Sequence, residues 1–483
     1  MSTSCSETGL TKRVIIVGAG IAGIAAAREI CKDDRFNVVI LEASNRAGGR
    51  MFTRKIDNTP VEFGATFIHG AGEHNVIYQL AKHYGMISDD RRENPEMWDK
   101  STLSAVLTNG EAISSEVVMK YWNMFSNLAD DIEGTNNSST WASMYNDLYS
   151  YLVAEFTKRS SGDALDVAKT PPYVKSMFDT FVNWLTISEG GNHCRGIGIN
   201  GSYRSLPGDR EVRFENIYSY GYLIQKLVDT LPDCIHCNTE VLSINTENNP
   251  ALITCKNGCQ YEADHVIVTV PLGVLKKRCL DENLSPNEQS LFIPALPAEK
   301  QIAIRSIGFA QVGKVVLQFD QEITSKYSLL PLMILWRPDD KHDPVINKKF
   351  PWANELFLLE RIQNSNLYES WVTGSAVACV EQASKEEIIE AFTYILSKVF
   401  KHHIPKIVDV HMHKWQSDPL FNGCYTVHLA DVNTSANITK LREPLNNNQV
   451  LFAGEATTEE YYSTVHGAYL TGIREAKRLM EFV

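Results

Sequence analysis

The sequence predicts an α/β fold, and three observations predict it. An apolar run, KRVIIV, leads into GAGIAGIAAA (Gly18 to Ala27), in which Gly18, Gly20 and Gly23 form a tight turn and open an alanine-rich helix. A second apolar run, FNVVILEA (Phe36 to Ala43), follows at the spacing of a strand–helix–strand unit and carries Glu42 nineteen residues after Gly23. Near the other end, VLFAGEA (Val450 to Ala456) is a further apolar strand leading to a glycine–acid turn and a helical segment. A G-x-G-x-x-G in that setting marks a Rossmann-like dinucleotide-binding βαβ unit.

Each position in the unit has a task. Gly18 permits the turn, Gly20 lets the backbone approach a pyrophosphate, and Gly23 allows close packing of helix on strand. Glu42 can accept hydrogen bonds from ribose hydroxyls, and the helix N-terminus favours phosphate charge. The next segment, NRAGGR (Asn45 to Arg50), puts Gly49 and Arg50 a few residues beyond the ribose, where the phosphates of a bound dinucleotide need donors.

With NRAGGR the chain resembles the flavin-dependent amine oxidases, the family of monoamine, polyamine and spermine oxidases. The resemblance continues through VEFGATFIHG (Val61 to Gly70), ADHVIVTVPLGVLK (Ala263 to Lys276), LPAEKQIAIRSIGFAQVGKVVLQF (Leu296 to Phe319), WQSDPLFNGCYT (Trp415 to Thr426) and the closing GEAT block. It is weaker over 89–183 and 326–408. The cofactor it implies is FAD. The architecture it implies is an amine-oxidase or glutathione-reductase-like FAD fold: a Rossmann-like FAD-binding domain from three segments, 1–72, 205–292 and 410–483, with an α+β substrate-binding domain from 73–204 and 293–409. A chain of 483 residues has the length for two such domains. Polar stretches at 134–140, 245–250 and 337–349 are expected as surface loops.

Composition narrows the partners. A formal net charge of −12 argues against nucleic acid, which is bound through clustered Lys and Arg, and favours encounter with a polycation. No stretch approaches the ~20 apolar residues of a membrane span, so no membrane partner is expected. The N-terminus lacks the apolar core of a signal peptide, the chain stops at Val483 without a membrane tail, and Glu481-Phe482-Val483 is not a peroxisomal address. Together with ten cysteines read as reduced thiols, this predicts a cytoplasmic enzyme of unspecified oligomeric state.

The resemblance also assigns chemistry, residue by residue. Lys314, on an apolar strand, matches the lysine that holds a water against flavin N5. His69 matches the histidine that animal polyamine oxidases place in the substrate tunnel. Trp415, Gly454 and Glu455 match residues that hold the cofactor; an acid capping the last helix is the alternative for Glu455. Monoamine oxidases frame the flavin with two aromatic rings from the stretches matching Tyr425 and Thr464. Here Tyr425 is kept and Thr464 is small, the polyamine-oxidase pattern. Cys424 stands where monoamine oxidases attach the flavin covalently, and a free thiol is the reading adopted. Cys234, Cys237, Cys255 and Cys259 only approximate a zinc ribbon, so no metal is expected. Glu189 and Glu215 are candidates for distal amines. Where related enzymes carry an acid, Ser202 precedes Tyr203 ahead of Pro207-Gly208, which leaves the preferred polyamine open.

The function these residues predict is FAD-dependent oxidation of a polyamine, of the spermine or N1-acetylpolyamine type, at a secondary amine. Dioxygen is the oxidant, and the products are an aldehyde, a shorter amine and hydrogen peroxide. A monoamine-oxidase-like flavoenzyme is the alternative, and a lysine-demethylase-like or non-catalytic flavoprotein is a third reading.

Overall fold

A computed structural model describes residues 11–87, 104–133, 141, 144–160, 165, 170–189, 191, 193–199, 211–214, 216–280, 284, 289–323, 331–340, 343–401 and 404–483. The chain is mixed α/β and packs as two units, each made of separated segments. The first comprises Met1–Phe52, Tyr220–Ser306 and Ser435–Val483; the second comprises Thr53–Ser219 and Ile307–Thr434. Packing therefore groups 53–72, 205–219 and 410–434 with the second unit, and 293–306 with the first.

The first unit is organised by a five-stranded parallel sheet in the order Val450–Phe452, His265–Val268, Lys12–Val17, Phe36–Leu41 and Ile235–His236. Its central strands are mainly apolar, VIIV in Lys12–Val17 and VVIL in Phe36–Leu41, as expected of a parallel sheet covered on both faces. His265–Val268 and Val450–Phe452 are buried along their whole length. The helix Ile21–Ile30 packs on the last helix, Val465–Phe482, at a glycine. A β-carbon on Gly472 would fall 2.1 Å from the Ala22 carbonyl oxygen, so the two backbones meet where only glycine fits. A four-stranded sheet, Gln260–Ala263, Ala251–Cys255, Val241–Asn245 and Phe292–Ile293, completes the unit.

The second unit is built on a mixed seven-stranded sheet, ordered Ile407–His411, Val312–Phe319, Leu367–Thr373, Leu358–Arg361, Leu332–Leu335, Ser104–Leu107 and Ala112–Ile113. Successive strand side chains point to opposite faces, and each face has its own core. Val315, Leu317, Phe319, Leu332 and Ile334 pack with Phe392 and Ile395 of the helix Lys385–Phe400. Met333 and Leu335 pack with Phe125, Phe178 and Phe181 of the helices Ser115–Glu133 and Pro172–Ser188.

One loop expectation is corrected: the stretch 337–349 contains the helix Pro344–Lys349. Asp343 supplies its N-cap, accepting from the amides of Val345 and Ile346, and proline at the first helical position is pre-set for the turn. The 134–140 stretch lies outside the described residues.

Candidate active site

In the first unit the candidate residues converge on the carboxyl end of the Lys12–Val17 strand. Gly18 has φ +107°, and a β-carbon there would sit 2.8 Å from Thr269 Oγ1. Gly23 is more constrained, since its β-carbon would lie 2.1 Å from the Gly18 carbonyl oxygen. Gly20 is the opposite case, with no atom within 4 Å of an added β-carbon. It is also the N-cap of Ile21–Ile30 and offers no side-chain cap, so the first-turn amides of that helix are left for another acceptor.

Glu42 is buried and gives one carboxylate oxygen to the Ala19 amide at 2.7 Å and the other to the Ser44 amide and hydroxyl at 2.9 and 2.7 Å. It thereby holds the glycine turn to the end of the second strand. Gly49 has φ +56° and lies against Gly20, where its β-carbon would come within 3.3 Å of the Gly20 Cα. Arg50 forms an ion pair with Glu455 at 2.8 Å. The other Glu455 oxygen accepts from the Ser463 amide at 2.9 Å. Glu455 is therefore not the cap of the last helix. That task falls to Thr464, whose hydroxyl accepts from the Gly467 amide at 3.0 Å and donates to the Tyr461 carbonyl at 2.8 Å. Gly454 has φ +125° and donates its amide to Thr471 Oγ1 at 2.9 Å.

In the second unit the dominant feature is a buried charge cluster around Lys314. The Val312–Phe319 strand sends Val315, Leu317 and Phe319 into one core, which turns Lys314 to the other face. Its ammonium donates to the Glu62 carbonyl at 2.6 Å and to the Thr66 hydroxyl, and it lies 4.4 Å over the Trp371 ring, its cross-strand neighbour. Glu369 stands 3.6 Å away. Burial pushes the lysine below its ordinary range; Glu369 opposes that shift and Arg213 adds to it. Arg213 pairs with Glu369 at 2.8 Å and Glu360 at 3.1 Å. Burial works against its charge, yet the two carboxylates prevail and its pKa is raised. Burial raises Glu360 against the pull of Arg213.

The remaining candidates of this unit have definite partners. His69 Nδ1 meets Glu211 Oε1 at 2.8 Å. Trp415 is buried, donates its indole N–H to the Phe63 carbonyl at 2.9 Å, and packs edge-on against Phe421. Tyr425 donates its hydroxyl to the Ile187 carbonyl at 2.9 Å, and burial raises its pKa. Cys424 Sγ is buried, donating to the Val312 carbonyl at 3.0 Å and accepting from the Val312 amide at 3.3 Å. Glu189 closes the helix Pro172–Ser188 and lines a small cavity with Ile132, Leu148 and Leu185. Ser202, Tyr203, Pro207, Gly208 and Glu215 lie outside the described residues. Sequence reasoning missed Glu211, Arg213, Glu360 and Glu369. Only the single charge inside LYESWVT, Glu369, hinted at the cluster.

Comparison with known proteins decides the family. Residues 21–480 match the family model described as flavin containing amine oxidoreductase. The chain belongs to that family. Among curated relatives of this amine oxidoreductase, the human peroxisomal N(1)-acetyl-spermine/spermidine oxidase is 30% identical, covering 97% of the chain and 94% of that protein. The probable polyamine oxidase 5 of Arabidopsis thaliana is 28% identical over 97% of the chain and 98% of its own length. Polyamine oxidase 1 of rice, Oryza sativa subsp. japonica, is 26% identical, covering 97% of each. The protein is thus an FAD-dependent amine oxidase, resembling polyamine oxidases. No helix among its described residues is long and apolar enough to cross a membrane.

Proposed function

We propose that this amine oxidase is a polyamine oxidase of the spermine or N1-acetylpolyamine type, cleaving a secondary amine with O2 to an aldehyde, a shorter amine and hydrogen peroxide. The observation that carries the reading is Lys314, held in a buried site by fixed acceptors, in a chain whose relatives over 97% of its length include an N(1)-acetyl-spermine/spermidine oxidase and a probable polyamine oxidase.

The first unit fits FAD. A Rossmann-like reading assigns the uncapped amides after Gly20 to the pyrophosphate, with Gly18 and Gly23 shaping the turn and Glu42 receiving ribose hydroxyls. Gly49, Arg50, Gly454 and Glu455 complete that cradle, and Trp415 is assigned as a further cofactor-binding residue. When bound, FAD supplies the two-electron acceptor and its reoxidation by O2.

The protein's own groups supply position and proton handling. Lys314 directs its ammonium at the Glu62 carbonyl and the Thr66 hydroxyl and reaches the Gly64 carbonyl only at 3.5 Å, so the hydrogen on that longest contact is the one that can turn to a water for imine hydrolysis or oxygen chemistry. The reacting amine must be neutral, and His69, bonded through Nδ1 to Glu211, is assigned to the substrate tunnel in which neutral and protonated amine are told apart. Tyr425 borders the amine through a ring fixed at its hydroxyl, and small Thr464 leaves room for a long chain. The Thr464 proton goes to Tyr461, so toward substrate it can accept a hydrogen bond. Cys424 is not joined to the flavin. For location we propose the cytoplasm, the compartment in which the cysteines of the sequence would stay as reduced thiols. The human relative's name places that protein in peroxisomes, and imaging of a tagged full chain tests the assignment.

A peroxide-release assay over spermine, spermidine, their acetylated forms and benzylamine tests the function. A kcat/KM for one polyamine at least tenfold above benzylamine is expected, roughly 1.4 kcal/mol of discrimination. Preference for benzylamine over every polyamine would overturn the reading in favour of a monoamine oxidase.

A further inference from the structure

We propose that Glu211 is a specificity-determining residue: its carboxylate receives a cationic nitrogen of the amine chain, held for that task by His69. The inference rests on the polyamine reading above and adds a residue that the sequence did not single out.

The strands Phe67–Ile68 and Val212–Arg213 pair antiparallel, Phe67 with Arg213 and Ile68 with Val212. One step further along the same ladder, His69 faces Glu211. Because side chains alternate along a strand, Phe67, His69, Glu211 and Arg213 share one face. At one end of that face the Arg213 guanidinium lies 4.7 Å over the Phe67 ring and is committed to Glu369 and Glu360. At the other end His69 Nδ1 takes Glu211 Oε1 at 2.8 Å. The second oxygen, Glu211 Oε2, is withdrawn from solvent and has no hydrogen-bond partner.

An ionised carboxylate only accepts hydrogen bonds, and shielding one of its oxygens from water without a donor is costly. The cation on the same face, Arg213, is already shared by two other carboxylates and does not serve it. A ligand N–H that also carries positive charge resolves both deficits. A polyamine meets the requirement: while one nitrogen is neutral for oxidation, the others remain ammonium and need a counter-charge. The Phe67 and His69 rings beside the carboxylate, with centroids 6.2 Å apart, offer apolar surface to the intervening methylenes.

The test compares binding of 1,8-diaminooctane and octylamine, which differ by one ammonium, to FAD-loaded wild type and to Glu211→Gln, by calorimetry. Spermine turnover is measured alongside. Wild type is expected to favour the diamine at least tenfold, and Glu211→Gln to bring that ratio close to one with flavin content and melting temperature retained. An unchanged ratio in Glu211→Gln, or no diamine preference in wild type, overturns the inference. Should Glu211→Gln lose flavin or stability, Glu211→Asp replaces it and is expected to lower the ratio. If wild type oxidises spermine while the ratio ignores the mutation, the polyamine reading stands and Glu211 alone is rejected. If no polyamine is oxidised, that reading falls, and the binding ratio still decides on Glu211.

Discussion

Lys314 and Glu369 lie 3.6 Å apart with their side chains only 4% and 3% exposed, a charge pair almost wholly removed from water. Glu369 also holds Arg213, so one carboxylate answers two cations, and Glu360 balances the set. Breaking such a pair leaves an uncompensated buried charge, which costs about 3–5 kcal/mol. The arrangement persists because every member has a partner.

Lys314→Met should retain flavin and slow turnover tenfold or more, the range for losing a positioned proton-transfer group. In wild type the lysine loses its proton below the ordinary lysine range, because burial disfavours the ammonium. Glu369→Gln removes a group that raises the Lys314 pKa, so the alkaline step in kcat should move to lower pH. In Lys314→Met that step should vanish. Stopped-flow flavin reduction and reoxidation across pH reads both outcomes; a wild-type profile in Lys314→Met would reduce the lysine to a structural role.

The glycine turn gives a paired prediction. A β-carbon at Gly20 meets no protein atom within 4 Å, whereas one at Gly23 collides with the Gly18 carbonyl at 2.1 Å. Gly20→Val should therefore fold with an unchanged far-ultraviolet spectrum yet purify colourless, since the valine takes the place of the pyrophosphate. Gly23→Val should lose soluble protein. A yellow Gly20→Val with stoichiometric FAD would refute the cradle.

That contrast shows what could be read from sequence. The strand–turn–helix and the strand ending at Glu42 were legible because glycine spacing and unbroken apolar runs are local signals. The hidden duty of Glu42, bracing the Ala19 amide, needed coordinates. The Arg213–Glu369–Lys314 cluster was not legible, because its members come together only through sheet register across 156 residues. The helix Pro344–Lys349 was read as loop although Asp343-Pro344 is a helix-start signal, outweighed by its polar surroundings. Thr464 was read for its size, while the structure gives its hydroxyl to a helix cap.

Thr464→Ser should keep both cap and selectivity. Thr464→Tyr should lose the cap, costing roughly 1 kcal/mol of stability, and shift the kcat/KM ratio toward monoamines. Melting temperature and the substrate panel separate the two effects. A Thr464→Tyr variant with unaltered selectivity would remove this position from the substrate path.

Cys424 engages both backbone groups of Val312 through its sulfur. Acid precipitation should therefore release the flavin into the supernatant, and Cys424→Ser should release it to the same extent. Flavin remaining in the washed pellet of wild type, but not of Cys424→Ser, would establish the covalent link instead.

Asp343 gives a pH-dependent stability. Burial disfavours its ionisation, but Lys398, the capped amides and the Tyr394 hydroxyl hold its pKa down at about 2. A carboxylate depressed in the folded state stabilises above its unfolded pKa and loses that contribution as pH falls through the folded one. Asp343→Ala should cost about 1–2 kcal/mol at pH 7, and the gap should narrow as pH drops from about 4 toward 2. Urea unfolding at pH 7 and pH 3 checks the sign.

The parallel sheet of the first unit imposes an order on synthesis. Its central strand, Lys12–Val17, is made early, but the edge strand Val450–Phe452 begins 438 residues later. At 5–20 residues per second the ribosome needs roughly 20–90 s to deliver it. The helix that packs at Gly472 arrives later still. During that interval the nascent chain shows an unpaired strand edge and the bare face of Ile21–Ile30, surfaces that invite aggregation or a chaperone. Removing the helix Val465–Phe482 would then leave the first unit unfinished, since a segment translated late closes a sheet begun early.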